Sequence, residues 1–199
     1  MSSEERALAL FDFDGTLVDR DSMLAYCQHV VGPARYWLGM VWLTPMLALY
    51  ITKLIPNDRA KVIMLRHFLG GHSRDHLAER ARSFSEIMDS WLRPGALERV
   101  RWHLDEGHDL FVVSASLDIW LGPWADRHGL KLLCTRAAYD EAGFAGLDSA
   151  NCHGAEKVRR VQGEVDPGSY ATVYAYGDSS GDTQMLAIAS EASFRPFRG

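Results

Sequence analysis

The chain has 199 residues, enough for one sizeable core or for one core with an inserted subdomain. Apolar residues make up 47% and charged residues 24%, which excludes a disordered chain and predicts an ordered globular protein. The net charge of -5 gives no case for a nucleic-acid partner, and Cys27, Cys134 and Cys152 lie far apart without zinc-ligand spacing, which points to a reducing, cytoplasmic setting.

The polar opening Met-Ser-Ser-Glu-Glu-Arg lacks the apolar stretch of a secretory leader. From Ala7 the string ALALFDFDGTLVDRDS runs an apolar stretch into Asp12 and Asp14, the pattern of a buried parallel strand that ends in a polar turn. Ligands of open α/β sheets bind at such carboxyl ends. Alternation along a strand predicts that Asp12 and Asp14 leave on one side while Phe11 and Phe13 turn to the other. Gly15 permits a tight turn, and the Thr16 hydroxyl with nearby amides can hold an anion. Taken alone, D-x-D-G is equally an Asx turn.

Residues 21–92 read as helices, one of them opened by Ser73-Arg74-Asp75 and carrying Leu77, Ala81, Phe84 and Met88 at helical spacing. Within this insertion, 36–52 (YWLGMVWLTPMLALYIT) holds no charge but includes Gly39 and Pro45. It reads as a buried helical hairpin, as a membrane-surface or re-entrant segment, or as a bilayer span, for which about 20 apolar residues are needed. Residues 21–92 carry eight Lys+Arg and six Asp+Glu, net +2, against -7 for the rest. Lys53, Arg59, Lys61 and Arg66 closely follow the apolar run; they suit an anionic lipid or a phosphorylated substrate, and solvated helix faces give the same count. His72 and His76 could share a helix face, but without a third ligand they read as solvated surface histidines.

A helix over 96–106 then leads to a strand over 109–113 that ends in Ser114-Ala115-Ser116. An amphipathic crossover helix over 118–128 reaches a strand over 131–135, and 137–148, with two glycines, reads as a loop or small hairpin. Lys157 stands at the start of a helix, where the macrodipole disfavours a cation, so something anionic should face it. A β-prone stretch over 172–176 runs into GDSSGDTQML, which sets Asp178 and Asp182 four apart, and 192–194 would be a last strand.

In this order these strings resemble the four motifs of the haloacid dehalogenase (HAD) superfamily. The resemblance implies an α/β fold, a Rossmann-like core of 1–20 and 93–199 around a central parallel sheet, with 21–92 inserted as a helical cap of the C1 type. It implies Asp12 as nucleophile, Asp14 as general acid/base, and Ser114 with the neighbouring Ala115 and Ser116 as the phosphoryl cradle. Lys157 would stabilise charge and Asp182 would orient its neighbours. Mg²⁺ would be held by Asp12, the Asp14 backbone carbonyl and Asp178, while Gly15, Thr16 and Asp21 would lie on the substrate side. Asp14 favours phosphoryl transfer, because dehalogenases of this fold need no acid for an alcohol leaving group.

The position of the insertion looks like subfamily IB, the phosphoserine phosphatase-like group, and implies a Mg²⁺-dependent hydrolase that forms an aspartyl-phosphate on a small phosphorylated metabolite. Two departures weaken phosphoserine itself: Asp21 stands where those enzymes carry Glu, and Ala115-Ser116 where they carry Gly-Gly. The phrases GGHSRDHL and CHGAEKV look more like class C phosphatidylglycerophosphate phosphatases. The alternative is therefore a lipid phosphatase at the membrane surface, with peripheral contact through 36–55. A non-catalytic membrane- or partner-binding module of the same fold is the reading from a different class.

Overall fold

A computed structural model describes residues 6–198. The polar opening, read above as lacking a leader, lies mostly outside them. Among the described residues seven strands form: β1 (Ala7–Phe11), β2 (Asp109–Leu117), β3 (Lys131–Thr135), β4 (Ala137–Asp140), β5 (Gly143–Leu147), β6 (Thr172–Gly177) and β7 (Glu191–Phe194). Five of them make a sheet in the order β3-β2-β1-β6-β7, parallel at every pairing, while β4 and β5 form a separate antiparallel hairpin.

Its sequence places β1 at the centre, because all five of its residues are apolar and only a strand covered on both faces can bury them. Leu8 and Leu10 pack with Val113, Val161 and Val173 on one face. Ala9 and Phe11 pack with Phe13, Tyr26, Trp120 and Trp124 on the other. Phe11 also stacks on Tyr176 of β6, ring centroids 4.4 Å apart.

The insertion supplies α1 (Ser22–Val31), α2 (Pro33–Trp42), α3 (Thr44–Ile51), α4 (Asn57–Leu69) and α5 (Arg74–Asp89). After them come α6 (Pro94–Asp105), α7 (Asp118–His128), α8 (Ala155–Glu164) and the short α9 (Thr183–Ala187). Ser73 caps α5 by accepting from the His76 N–H, and the stripe Leu77, Ala81, Phe84, Met88 is buried as its spacing predicts. That stripe shares one hydrophobic cluster with Trp120, Leu121 and Trp124 of α7, so α1 and α5 are anchored on the sheet side of the molecule. Tyr26 adds a hydrogen bond to the Leu77 carbonyl at 2.7 Å.

The uncharged run 36–52 is broken in two at Leu43, and among the described residues no helix is long and apolar enough to cross a membrane. The reading as a span therefore falls. The run is not a buried hairpin either: α2 buries Tyr36 and Gly39, α3 buries none of its residues, and Trp37, Leu38, Val41 and Trp42 face outward. Gly39 lets α2 approach α4, since a Cβ there would stand 2.5 Å from Phe68 Cε1. His72 and His76 stack on each other at 5.0 Å and belong to no cluster of potential metal ligands among the described residues.

Candidate active site

Chain order along the sheet reverses beside β1, with β2 and β3 on one side and β6 and β7 on the other, and the crevice opens there. Asp12 follows β1, and its N–H still bonds the Tyr176 carbonyl at 2.9 Å, which fixes the residue at the carboxyl end of the sheet. The ladder stops at this point. Gly15 takes φ +83, and the N–H groups of Thr16, Leu17 and Val18 all turn back to the Phe13 carbonyl. Asp14 lies past the end of β1, in an isolated bridge with Val18, and the alternation of β1 does not place it beside Asp12. The two acids line one cavity of about 410 Å³ but have different partners.

Asp12 Oδ1 accepts from Lys157 Nζ at 2.6 Å, and its Oδ2 accepts from the Thr16 hydroxyl at 3.1 Å. Lys157, only 2% exposed, also donates to Asp182 Oδ1 at 2.6 Å and to the Val113 carbonyl at 2.7 Å. The anion expected to face a lysine at the start of α8 is thus a pair of carboxylates. Burial acts to lower the Lys157 amine, but Asp12 and Asp182 outweigh it and hold the amine above the usual lysine range. Burial likewise acts to raise Asp182, yet Lys157 and donors from Ser179 hold it below the ordinary carboxyl range. For Asp12 burial wins, helped by the charge of Asp182, and its carboxyl is pushed up to about 6 despite Lys157.

Asp182 shapes its own loop: its Oδ2 accepts from the N–H groups of Asp178 and Ser179, at 3.1 and 3.0 Å, and from the Ser179 hydroxyl at 2.9 Å. Gly177 is required, because a Cβ there would lie 2.5 Å from Asp182 Cβ. Asp14 is held by the Ser22 N–H at 2.7 Å and the Ser116 hydroxyl at 2.6 Å, while Trp120 Nε1 donates to the Ser22 hydroxyl at 2.9 Å. Burial, with Asp21 nearby, pushes the Asp14 carboxyl up to about 7. Ser114 is buried, and its oxygen accepts from the Ser116 N–H at 3.0 Å, so its own proton can point into the cavity.

Two residues expected on the substrate side have other tasks as well. Asp21 caps α1 by accepting from the Leu24 N–H at 3.0 Å, and Ser116 positions Asp14. Conversely, Lys61 of α4 enters the site although its sequence context marks it only as one of several basic residues after an apolar run. It is buried, donates to the Ala115 carbonyl and, at 2.7 Å, to Asn151 Oδ1, and burial pushes its amine down to about 8. It ties the insertion to the end of β2, which carries Ser114.

The cavity collects Asp12, Asp14, Asp21, Asp178 and Asp182 against Lys61 and Lys157, an excess of negative charge that would repel a phosphate. Carboxylate oxygens of Asp12, Asp178 and Asp182 lie within 4.8 Å of one another. Asp182 Oδ1 is tied to Lys157 and its Oδ2 to three donors of its own loop, whereas Asp12 Oδ2 meets only the Thr16 hydroxyl at 3.1 Å, which leaves Asp12 and Asp178 for a cation. Asp178 Oδ2 meets Arg198 at 2.6 Å, so a positive group already finds favour there. Burial and the charge of Asp182 raise the Asp178 carboxyl, which a cation would relieve. Hard oxygen donors, two of them carboxylates, suit Mg²⁺ rather than a softer metal.

Gly15 keeps this cradle open, since a Cβ there would stand 2.5 Å from Asp178 Oδ2 and the residue already has positive φ. Gly15→Ala should cost about 1–2 kcal/mol in backbone strain and displace the Asp178 carboxylate. The expected result is a lower melting temperature together with at least a roughly tenfold weaker affinity for added Mg²⁺. Calorimetric titration with Mg²⁺ checks it; an unchanged affinity would remove Asp178 from the candidate metal site.

A family model described as haloacid dehalogenase-like hydrolase matches residues 9–187. Protein CicA of Caulobacter vibrioides is 39% identical over 199 residues, covering 98% of this chain and 88% of CicA. A Mycobacterium tuberculosis protein named "Probable phosphatase Rv3661" is 27% identical, covering 98% of this chain and 70% of that one. The crystal structure of a protein of unknown function from Bordetella pertussis Tohama I superposes with a TM-score of 0.81 at 26% identity, covering 94% of this chain and 89% of that one. The matched family model spans all four polar strings that converge on the cleft, and the chain belongs to the haloacid dehalogenase-like hydrolase family.

Proposed function

We propose that the protein is a Mg²⁺-dependent phosphomonoester hydrolase that works through an aspartyl-phosphate on Asp12. The observation that carries this reading is the buried Lys157 set between Asp12 and Asp182, 2.6 Å from each. Such an ion triad is a poor way to gain stability, because desolvating the charges offsets most of their attraction. It is a good way to hold a positive charge where phosphate oxygens must approach a carboxylate.

In this reading an Asp12 oxygen attacks phosphorus, and the bond from phosphorus to the ester oxygen breaks. Asp14, whose carboxyl is pushed up to about 7 so that its protonated form is available near neutrality, gives its proton to the departing alcohol. As a carboxylate it then takes a proton from the water that attacks the aspartyl-phosphate, which releases phosphate and restores Asp12. The Ser114 hydroxyl faces the phosphoryl oxygens and the charge of Lys157 attracts them, while Asp182 keeps Lys157 and the Asp178 loop in place. Asp12, Asp178 and the Asp14 carbonyl would hold Mg²⁺, which when bound would neutralise phosphate charge. We propose residues 21–92 as the cap that closes the cleft and selects the substrate.

Two substrate classes follow from the sequence, a small phosphorylated metabolite and a phospholipid. Beyond the catalytic groups the cavity is walled by Met23, Leu24, Met40, Leu47 and Met64, which favours a leaving group with an apolar body. Hydrolysis of a generic aryl phosphate with Mg²⁺, and its loss in excess EDTA, is the expected result for the chemistry. No turnover with metal, or an equal rate under EDTA, would overturn it. Among phosphoserine, histidinol phosphate and phosphatidylglycerophosphate, the apolar walls favour the last.

A further inference from the structure

We infer that the α2–α3 end of the insertion docks on an anionic lipid bilayer and takes the substrate of the cleft from that surface; only the word substrate rests on the phosphomonoesterase reading. On α2, Trp37, Leu38, Val41 and Trp42 recur at i, i+1, i+4 and i+5, so they share one face, and they are 62, 72, 70 and 70% exposed. At the end of α3, Ile51 and Leu54 are 77 and 71% exposed. The turn that presents Leu54 is built: Lys53 takes φ +59, its N–H bonds the Tyr50 carbonyl, and the Leu54 N–H bonds the Leu49 carbonyl, each at 2.9 Å. Large exposed side chains gathered in one segment mark a contact surface, and paired tryptophans suit the interfacial zone of a bilayer.

Charge selects lipid over a second copy of the chain. The run 36–52 carries no acid, while Arg35, Lys53 and Arg59 flank it, exposed and without an ion pair among the described residues. The insertion is net +2 and the rest of the chain -7, so an anionic surface draws this end and repels the other. A dimer through the same face would set two positive insertions against each other. The surface also continues into the cleft: exposed Tyr50 lines the catalytic cavity beside Met40 and Leu47 of the same two helices.

Sedimentation with vesicles of mixed phosphatidylglycerol and phosphatidylcholine, compared with phosphatidylcholine alone, tests the inference. The protein is expected to sediment with the anionic vesicles and to release as salt rises. Replacing Trp37, Leu38 and Ile51 together by Gln should lower that partition on the order of tenfold or more. None of the three lines the cavity, so hydrolysis of a soluble aryl phosphate should be unchanged, which also reports that the variant is folded. Native protein that stays in solution with both vesicle types, or a triple variant that sediments like the native protein, overturns the proposal. So does a dimer that the triple variant dissociates. Asp12→Asn protein should sediment normally; binding without hydrolysis by the native protein would sink the phosphatase reading while this one stands.

Discussion

Asp12→Asn is expected to abolish hydrolysis of an aryl phosphate, with a loss on the order of 10⁴-fold or more, while leaving the fold intact. The amide has nearly the shape of the carboxylate, so its oxygen can still accept from Lys157 while its NH2 group donates to the Thr16 hydroxyl, but it cannot form the bond to phosphorus. Stability should change little. Burial holds the Asp12 carboxyl at about 6, above its ordinary 3.8, and a carboxyl raised on folding opposes folding more as pH climbs through that window. A neutral amide removes this cost and gives up attraction to Lys157, two effects of opposite sign. Turnover and thermal unfolding at pH 7.5 or so check both halves. Activity within tenfold of the native protein would exclude Asp12 as the nucleophile. Asp12→Glu, which retains charge but moves the oxygen, should be nearly as inactive.

The parts of this site legible in the sequence are those fixed by strand ends. An apolar strand of five residues can only be central, so Asp12 at its end must meet what stands toward the carboxyl ends of the neighbouring strands, Ser114 within β2 and Asp178 just past β6. Lys157 was legible through its conflict with the dipole of α8, a local oddity that required an anion. Contacts across the fold left no such mark. Lys61 looks like any solvated lysine until α4 lies over the Ala115 carbonyl. The link from Trp120 of α7 through Ser22 of α1 and Ser116 of β2 to Asp14 after β1 joins four places in the fold that share no pattern.

Strand β2 shows the same limit. It runs on to Leu117 through a shift in its pairing with β3 between Ser114 and Leu117, which a reading that stops at the first serine cannot foresee. The run 36–52 is the clearest case. Its hydrophobicity is plain, but a helix apolar on every side has no polar stripe to tell which side is covered. Gly39, pressed against Phe68, decides that question in the fold, and the tryptophans are left outside.

Lys157→Met should destabilise the protein by about 3–5 kcal/mol near pH 8, because it leaves two carboxylates buried with no counter-charge. Methionine replaces most of the stem, so the loss reports charge and the vacated Val113 carbonyl more than volume. The pH dependence separates these. In the native protein Asp182 is depressed, so its contribution is present above its unfolded value of 3.8 and fades only as pH falls through the lower folded value. Without Lys157, burial raises both Asp182 and Asp12, and each then opposes folding as pH rises above about 4. The deficit should therefore be small at acid pH and grow toward neutrality, by up to about 1.4 kcal/mol per pH unit for each carboxyl that would otherwise hold a proton. Urea unfolding of both proteins at pH 5 and 8 or so, in EDTA, measures it. An equal deficit at both pH values would mean that Lys157 fills space beside Asp12 rather than balancing its charge, and the case for a phosphoryl-transfer site would lose its main support.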